Sequence, residues 1–273
     1  MIDIHSHVIP GIDDGSSDMS ESIEMLRAAA RAGVELIVAT PHCFSYPRSP
    51  RTSHITRGLD ELAKAAASDD EASQVELVIG AEIMLDPGVK EVLDGGGIPP
   101  IGGSGVHILV ELPMLSVPKY TEKALFELKV GGYVPIIAHP ERNYELSQDP
   151  DMLRRLIKMG ALVQVDAGSI AGAYGAMAEK SSLKMLRSRM CHFVASDAHN
   201  PGAYSRLLPA ARRRVTSLIG KEAARALFEA NPRAVLEGNT PEAPEPVIPE
   251  KDHASSRRTG RSLAEFFKRL KRP

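Results

Sequence analysis

The chain has 273 residues, 43% hydrophobic and 25% charged, a globular composition long enough for a full α/β barrel as one domain. Its formal net charge of −2 gives no overall basic bias toward nucleic acid, and no uncharged apolar run approaches the ~18 residues needed to span a bilayer. Asp3, His5 and His7 fall where a secretory signal is apolar, and two cysteines, Cys43 and Cys191, fit free thiols in a reducing compartment, so a cytoplasmic protein is expected.

Residues 1–4 form an apolar run that enters His5-Ser6-His7 directly. In an extended strand residues i and i+2 share a face, so both imidazoles can reach one ion. Asp18 and Glu21 form an N-terminal capping pattern, Ile23, Leu26 and Ala30 keep helical spacing, and Gly33 ends the helix before the next apolar run at 36–40. A second helix is predicted over 55–66, with Ile55, Leu59, Leu62 and Ala66 on one stripe. Further strands are predicted at 75–79, 108–112, 134–138, 162–165 and 193–196. This alternation of β and α to about Gly238 is the order of a parallel sheet with crossover helices.

Acids and histidines recur where these runs end: Thr40-Pro41-His42, Gly80-Ala81-Glu82, Glu111, Ala138-His139-Pro140-Glu141-Arg142 and Ser196-Asp197-Ala198-His199. In a parallel barrel those ends meet at one mouth. With Asp14 from the loop after the first strand, the set is His5, His7, Asp14, His42, Glu82, Glu111, His139, Asp197 and His199. Nine nitrogen and oxygen donors without cysteine suit Mn, Fe or Zn and are too many for one ion, so two or three carboxylate-bridged metals are expected. His54 in a polar loop, His107 at the start of its strand, His192 on the face opposite Asp197, and His253 are expected to lie outside the site. A thiol-based phosphatase needs arginine six residues after its cysteine; Ser49 and Asp197 stand there instead.

The segments 1–7, Asp13-Asp14-Gly15, Gly80-Ala81-Glu82, 138–142 and Ala195-Ser196-Asp197-Ala198-His199-Asn200, with the ending Asn231-Pro232-Arg233, resemble the PHP (polymerase and histidinol phosphatase) superfamily. More narrowly, they resemble its bacterial protein-tyrosine phosphatases of capsule and exopolysaccharide synthesis. The resemblance covers about residues 1–238 and implies a distorted (β/α)7 barrel, a trinuclear manganese site, and dephosphorylation of a tyrosine-rich tail on a membrane-associated kinase. It places His5, His7, Glu82 and Asp197 on one ion, Glu82, Glu111 and His139 on a second, and Asp14, His42 and His199 on a third. Arg142 matches the arginine that contacts phosphate. Where the family often has a further arginine, this chain has Tyr204, with Arg206 nearby. Histidinol-phosphate phosphatase is the rival enzyme, and an inactive binding scaffold is the rival of another class.

Residues 239–273 are expected to be appended to the barrel. Residues 239–252 carry four prolines and no periodic apolar pattern, which reads as linker. Leu263, Phe266, Phe267 and Leu270 then keep helical spacing among Arg257, Arg258, Arg261, Lys268, Arg269, Lys271 and Arg272. This tail reads either as a helix docked on the barrel or as a segment that touches anionic lipid or a membrane-associated kinase.

Overall fold

In the computed structural model, which describes residues 1–46, 49–103, 105–241 and 245–247, every strand pairing is parallel. The elements in order are β1 (Ile2–Ser6), α1 (Met19–Arg31), β2 (Leu36–Ala39), β3 (His42–Cys43), α2 (Thr52–Ala66), β4 (Glu76–Ile79), β5 (Glu82–Met84), α3 (Val89–Asp94), β6 (His107–Glu111) and α4 (Thr121–Val130). They continue with β7 (Val134–Ala138), α5 (Tyr144–Gln148), α6 (Pro150–Lys158), β8 (Leu162–Asp166), α7 (Ala167–Ile170), α8 (Gly175–Arg187), β9 (Phe193–Ala195), α9 (Leu208–Ile219), α10 (Lys221–Arg225) and α11 (Asn231–Leu236).

The seven expected runs are present, and two of them are followed by short strands outside the expected set, β3 and β5. Thr40-Pro41 separates β2 from β3 and Gly80-Ala81 separates β4 from β5. Proline has no N–H to give to a ladder, so the sheet divides here into the orders β1-β2-β4 and β3-β5-β6-β7-β8-β9. Backbone bonds carry the wall across both breaks: Gly80 N–H donates to Ala39 O (2.9 Å) and Glu82 N–H to Pro41 O (3.1 Å). The last strand returns to the first where Asp197 N–H donates to His5 O (3.0 Å) and His7 N–H to Ala198 O (2.9 Å). The result is a distorted (β/α)7 barrel.

Alternation along each strand sorts the core into two layers. Ile2, Ile4, Val38, Leu109, Ile136, Leu162, Phe193 and Ala195 fill the lower lumen with Val235 of α11. Ile37, Ile83, Ile108, Val110, Ile137, Val163 and Val194 pack outward under the helices. The cap on α1 forms, with Glu21 N–H donating to Asp18 Oδ1 (2.9 Å). The second helix begins at Thr52, three residues before the predicted start, because Arg51 takes the cap position. His54 therefore lies on the first turn of α2, where its Nδ1 accepts from Arg51 N–H, and not in a loop.

The described residues beyond Gly238 follow the bottom of the barrel. Thr240 Oγ1 lies 3.2 Å from His107 Nε2, and Val247 N–H donates to Ser188 O (2.9 Å). The basic apolar stripe expected between Arg257 and Arg272 lies outside the described residues. Among the described residues no helix is long and apolar enough to cross a membrane.

Candidate metal centre

The first strand must change the face it shows to the lumen. Ile2 and Ile4 point into the lower core, so strict alternation would turn His5 and His7 to the face of Asp3. The register of β1 against β2 shifts between Asp3 and Ser6, and a bulge of this kind re-aims the residues beyond it. Asp3 and Ser6 are left together behind the wall, where both bond the buried Tyr204 hydroxyl (2.8 and 2.9 Å). His5 and His7 turn into the upper lumen. Tyr204 is thus a strut for the bulge, while Arg206 lies exposed on the same turn.

Two more ligand candidates need unusual backbone. His139 (φ 30°) and Asp197 (φ 48°) are two of the three non-glycine residues with positive φ among the described residues. Left-handed backbone is costly for L-residues and clusters at functional sites. It aims both side chains inward immediately after β7 and β9.

All nine predicted donors come together. Glu82 Oε2 and Asp197 Oδ1 each lie 3.3 Å from His5 Nε2 and 3.4 Å from His7 Nε2. His139 Nε2 lies 2.9 Å from Glu82 Oε1 and 3.9 Å from Glu111 Oε1. At the rim, Asp14 Oδ1 lies 3.4 Å from both His42 Nε2 and His199 Nε2. His42 Nδ1 faces the second group, 3.0 Å from Glu82 Oε2 and 3.8 Å from Glu111 Oε2. The groups grade from fully buried His5 and Glu82 to exposed Asp14.

The donor set fits cations for a reason beyond proximity. His139 N–H can only donate, so the Gln164 side-chain atom 3.3 Å from it is the acceptor Oε1, and the same oxygen lies 3.0 Å from His5 Nδ1. His5 Nδ1 must then carry a proton. Asp13 Oδ2 does the same for His7 Nδ1 (2.7 Å) and also accepts from His42 N–H (3.0 Å). Once each ring sheds its second proton, Nε2 is left with a lone pair, and these two nitrogens are only 3.2 Å apart. Two lone pairs at that distance repel unless a cation lies between them. Donors about 2.1 Å from a shared tetrahedral centre are about 3.4 Å apart, which matches the observed spacing. Glu82 Oε2 is buried and faces imidazole nitrogens of His42, His5 and His7 at 3.0, 3.3 and 3.4 Å.

The electrostatics agree. Burial pulls the His5 imidazole down, but Glu82 and Asp197 outweigh it and lift its pKa to about 9. Burial alone would raise Glu82 and Asp197, yet the surrounding imidazoles hold both well below the carboxylate range. Glu111 is raised, first by burial and then by Glu82. The site is a concentration of negative charge partly matched by rings able to shed protons to a metal.

Arg142 stands beside this cluster. Its Nη1 donates to Asp197 Oδ2 (2.6 Å) and lies 3.4 Å from Asp166 Oδ2. Asp13, Gln164, Asp166 and Tyr174 are absent from the sequence-predicted set. Asp13 sits inside the quoted Asp13-Asp14-Gly15 segment, and Gln164 is the one polar residue in the apolar 162–165 run. Tyr174 carries no sequence signal. His107 and His192 are outside the site, as expected: burial lowers both, His192 to about 4, and His192 Nδ1 accepts from Val163 N–H (3.0 Å). Burial also raises the Cys43 thiol to about 12, which suits packing rather than reactivity.

Residues 1–237 match the family described as capsular polysaccharide synthesis, CpsB/CapC. The chain belongs to that family. It is 38% identical over 200 residues to the tyrosine-protein phosphatase YwqE of Bacillus subtilis, covering 73% of this chain and 78% of YwqE. A solved structure from work on YwqE of Bacillus subtilis and CpsB of Streptococcus pneumoniae, described as metal-dependent tyrosine phosphatases, superposes with a TM-score of 0.85. It is 33% identical, covering 92% of this chain and all of that one. Histidinol phosphate phosphatase of Lactococcus lactis shares the fold at 12% identity and a TM-score of 0.52, covering 81% of this chain and 95% of its own.

Proposed function

We propose that this CpsB/CapC-family chain is a metal-dependent protein-tyrosine phosphatase. Its nine donors hold three divalent ions, of which manganese suits the nitrogen and oxygen set. The observation that carries the reading is the convergence of three donor groups, two of which share Glu82, with Arg142 at their edge. Bound divalent ions lower the pKa of water and neutralise charge on phosphoryl oxygens.

The side chains divide the remaining work. His5, His7, Glu82 and Asp197 hold the innermost ion; Glu82, Glu111 and His139 the second; Asp14, His42 and His199 the outermost. Gln164 and Asp13 fix the ring tautomers that make His5 and His7 ligands. Arg142 stays protonated and cannot ligate an ion, so it binds phosphoryl oxygens by charge-assisted hydrogen bonds. A tyrosine leaving group has a pKa of about 10, low enough to depart without an assigned general acid. The proposed substrate is a tyrosine-phosphorylated protein of capsule or exopolysaccharide synthesis, a membrane-associated kinase.

Chelated protein is expected to lose turnover of a phosphotyrosine peptide and regain it with manganese, three ions per chain being measured by elemental analysis. Full turnover without metal would overturn the mechanism. Preference for histidinol phosphate over the peptide would reassign the substrate to a small phosphomonoester.

A further inference from the structure

Arg142 can serve a phosphoryl group only if its guanidinium is held in place, and its own bonds hold one end alone. Nη1 is engaged by Asp197 and Asp166, whereas Nε and Nη2 have no hydrogen-bonded acceptor among the described residues. A guanidinium fixed at one nitrogen can still swing about that contact. The remaining constraint comes from the loop after α7: Arg142 Cζ lies over the Tyr174 ring, 4.5 Å from its centroid.

The ring is itself wedged. A Cβ built on Gly168 would lie 2.5 Å from Tyr174 Cε2 and 2.9 Å from Cζ, so the aromatic edge occupies space that any other residue at 168 would fill. Gly168 is placed by the strand end, since its N–H donates to Asp166 Oδ1 (2.6 Å). Asp166 thus aligns both halves of the stack, with one oxygen toward Arg142 and the other toward the glycine under Tyr174. The tyrosine hydroxyl has no hydrogen-bond partner among the described residues, so the ring face is the part in use.

We propose that Tyr174 is the positioning residue that holds Arg142 in its phosphate-receiving orientation, with Gly168 kept small to admit the ring. This rests on Arg142 being the phosphate residue of the proposed phosphatase. The aromatic face leaves Nε and Nη2 free as a donor pair, which a third carboxylate in its place would have consumed.

The test uses full-length manganese-loaded protein and inorganic phosphate, with affinity read by calorimetry and metal content by elemental analysis. Tyr174→Leu, which keeps bulk and loses the π face, is expected to weaken phosphate binding about three- to tenfold at unchanged metal content. Tyr174→Phe should restore it. Gly168→Ala, which forces the ring to move, should behave like Tyr174→Leu. In an Arg142→Ala background, Tyr174→Leu should have no further effect, since the two act through one contact. Additive losses in the double variant, or unchanged phosphate affinity in Tyr174→Leu, would overturn the role of Tyr174 and leave Arg142 standing. Unchanged phosphate affinity in Arg142→Ala alone would overturn the reading beneath it. Metal loss in Tyr174→Leu would reassign the ring to site assembly.

Discussion

The lower and upper halves of the barrel lumen are built from the same strands and obey opposite rules. Below, Ile4, Leu109, Ile136 and Phe193 alternate inward with ordinary backbone and fill space. Above, the strands deliver His5, Glu111, His139 and Asp197 to nearly the same axis, but only with a bulge in β1 and left-handed backbone at two ligands. Packing tolerates regularity, whereas convergence of charged donors on a few points requires departures from it. Stability is therefore invested at the bottom and chemical tension at the top.

Removing a shared donor should break the upper half most severely. Glu82→Ala and Asp197→Ala are expected to abolish phosphatase turnover, a loss of at least about a thousandfold given the role of metals in such displacement, while the protein stays folded by circular dichroism. Retained turnover with full metal content would remove these residues from the centre. The converse holds below: Phe193→Ala should cost about 3–5 kcal/mol in urea unfolding with turnover per folded molecule nearly intact. Equal losses of turnover would mean that the halves are not separable.

Smaller effects sharpen the boundary. Asp13→Asn keeps shape but weakens the hold on His7 Nδ1, and such changes typically lower metal affinity about 10- to 100-fold. Competition with a chelating dye measures it, and an unchanged affinity would leave Asp13 a loop residue only. Gly15 sits so close to His7 that an added Cβ would lie 2.2 Å from its carbonyl oxygen. Gly15→Ala should therefore displace the Asp14 loop and lower occupancy of the outermost ion first, seen as a fractional loss in metal stoichiometry.

The pH dependence of metal-free protein separates the halves without mutation. His5 rises from 6.5 to about 9 when folded, so its contribution to stability is full below about pH 6.5 and lost as pH climbs through 9. Glu82 and Asp197 are held low, so theirs is full above their ordinary values of 4.5 and 3.8 and lost as pH falls. Chelated protein should be most stable near pH 5 to 6.5 and lose Tm toward pH 9. Metal uptake should strengthen over that same rise, because the imidazoles must shed protons. A flat Tm between pH 6 and 9 would refute the coupling.

Much of this division could be read from the sequence. Apolar runs ending in acids and histidines announce strands that deliver side chains to a mouth, and all nine candidates do meet there. Period-two alternation places Glu111 above Leu109 without further information. The bulge in β1 left no such trace, since Ile-Asp-Ile-His-Ser-His reads as plain alternation and only pairing with β2 reveals the slip. Nor could the breaks at Pro41 and Gly80-Ala81 be separated from strand ends. Gln164 and Tyr174 act through contacts 159 and 32 residues away in the chain, with His5 and Arg142 respectively, and local pattern carries no record of such partners.

The return of the last strand to the first also sets a schedule. Asp197 and Ala198 bond the backbone of His5 and His7, and Asp197 and His199 supply the final donors. A ribosome adding about 5–20 residues per second exposes His5 long before Asp197 exists. Until then the nascent chain offers imidazoles and Glu82 without their last carboxylate, a weaker and less selective trap. Completion of the donor set is thereby deferred until the last strand is made and the barrel can shut.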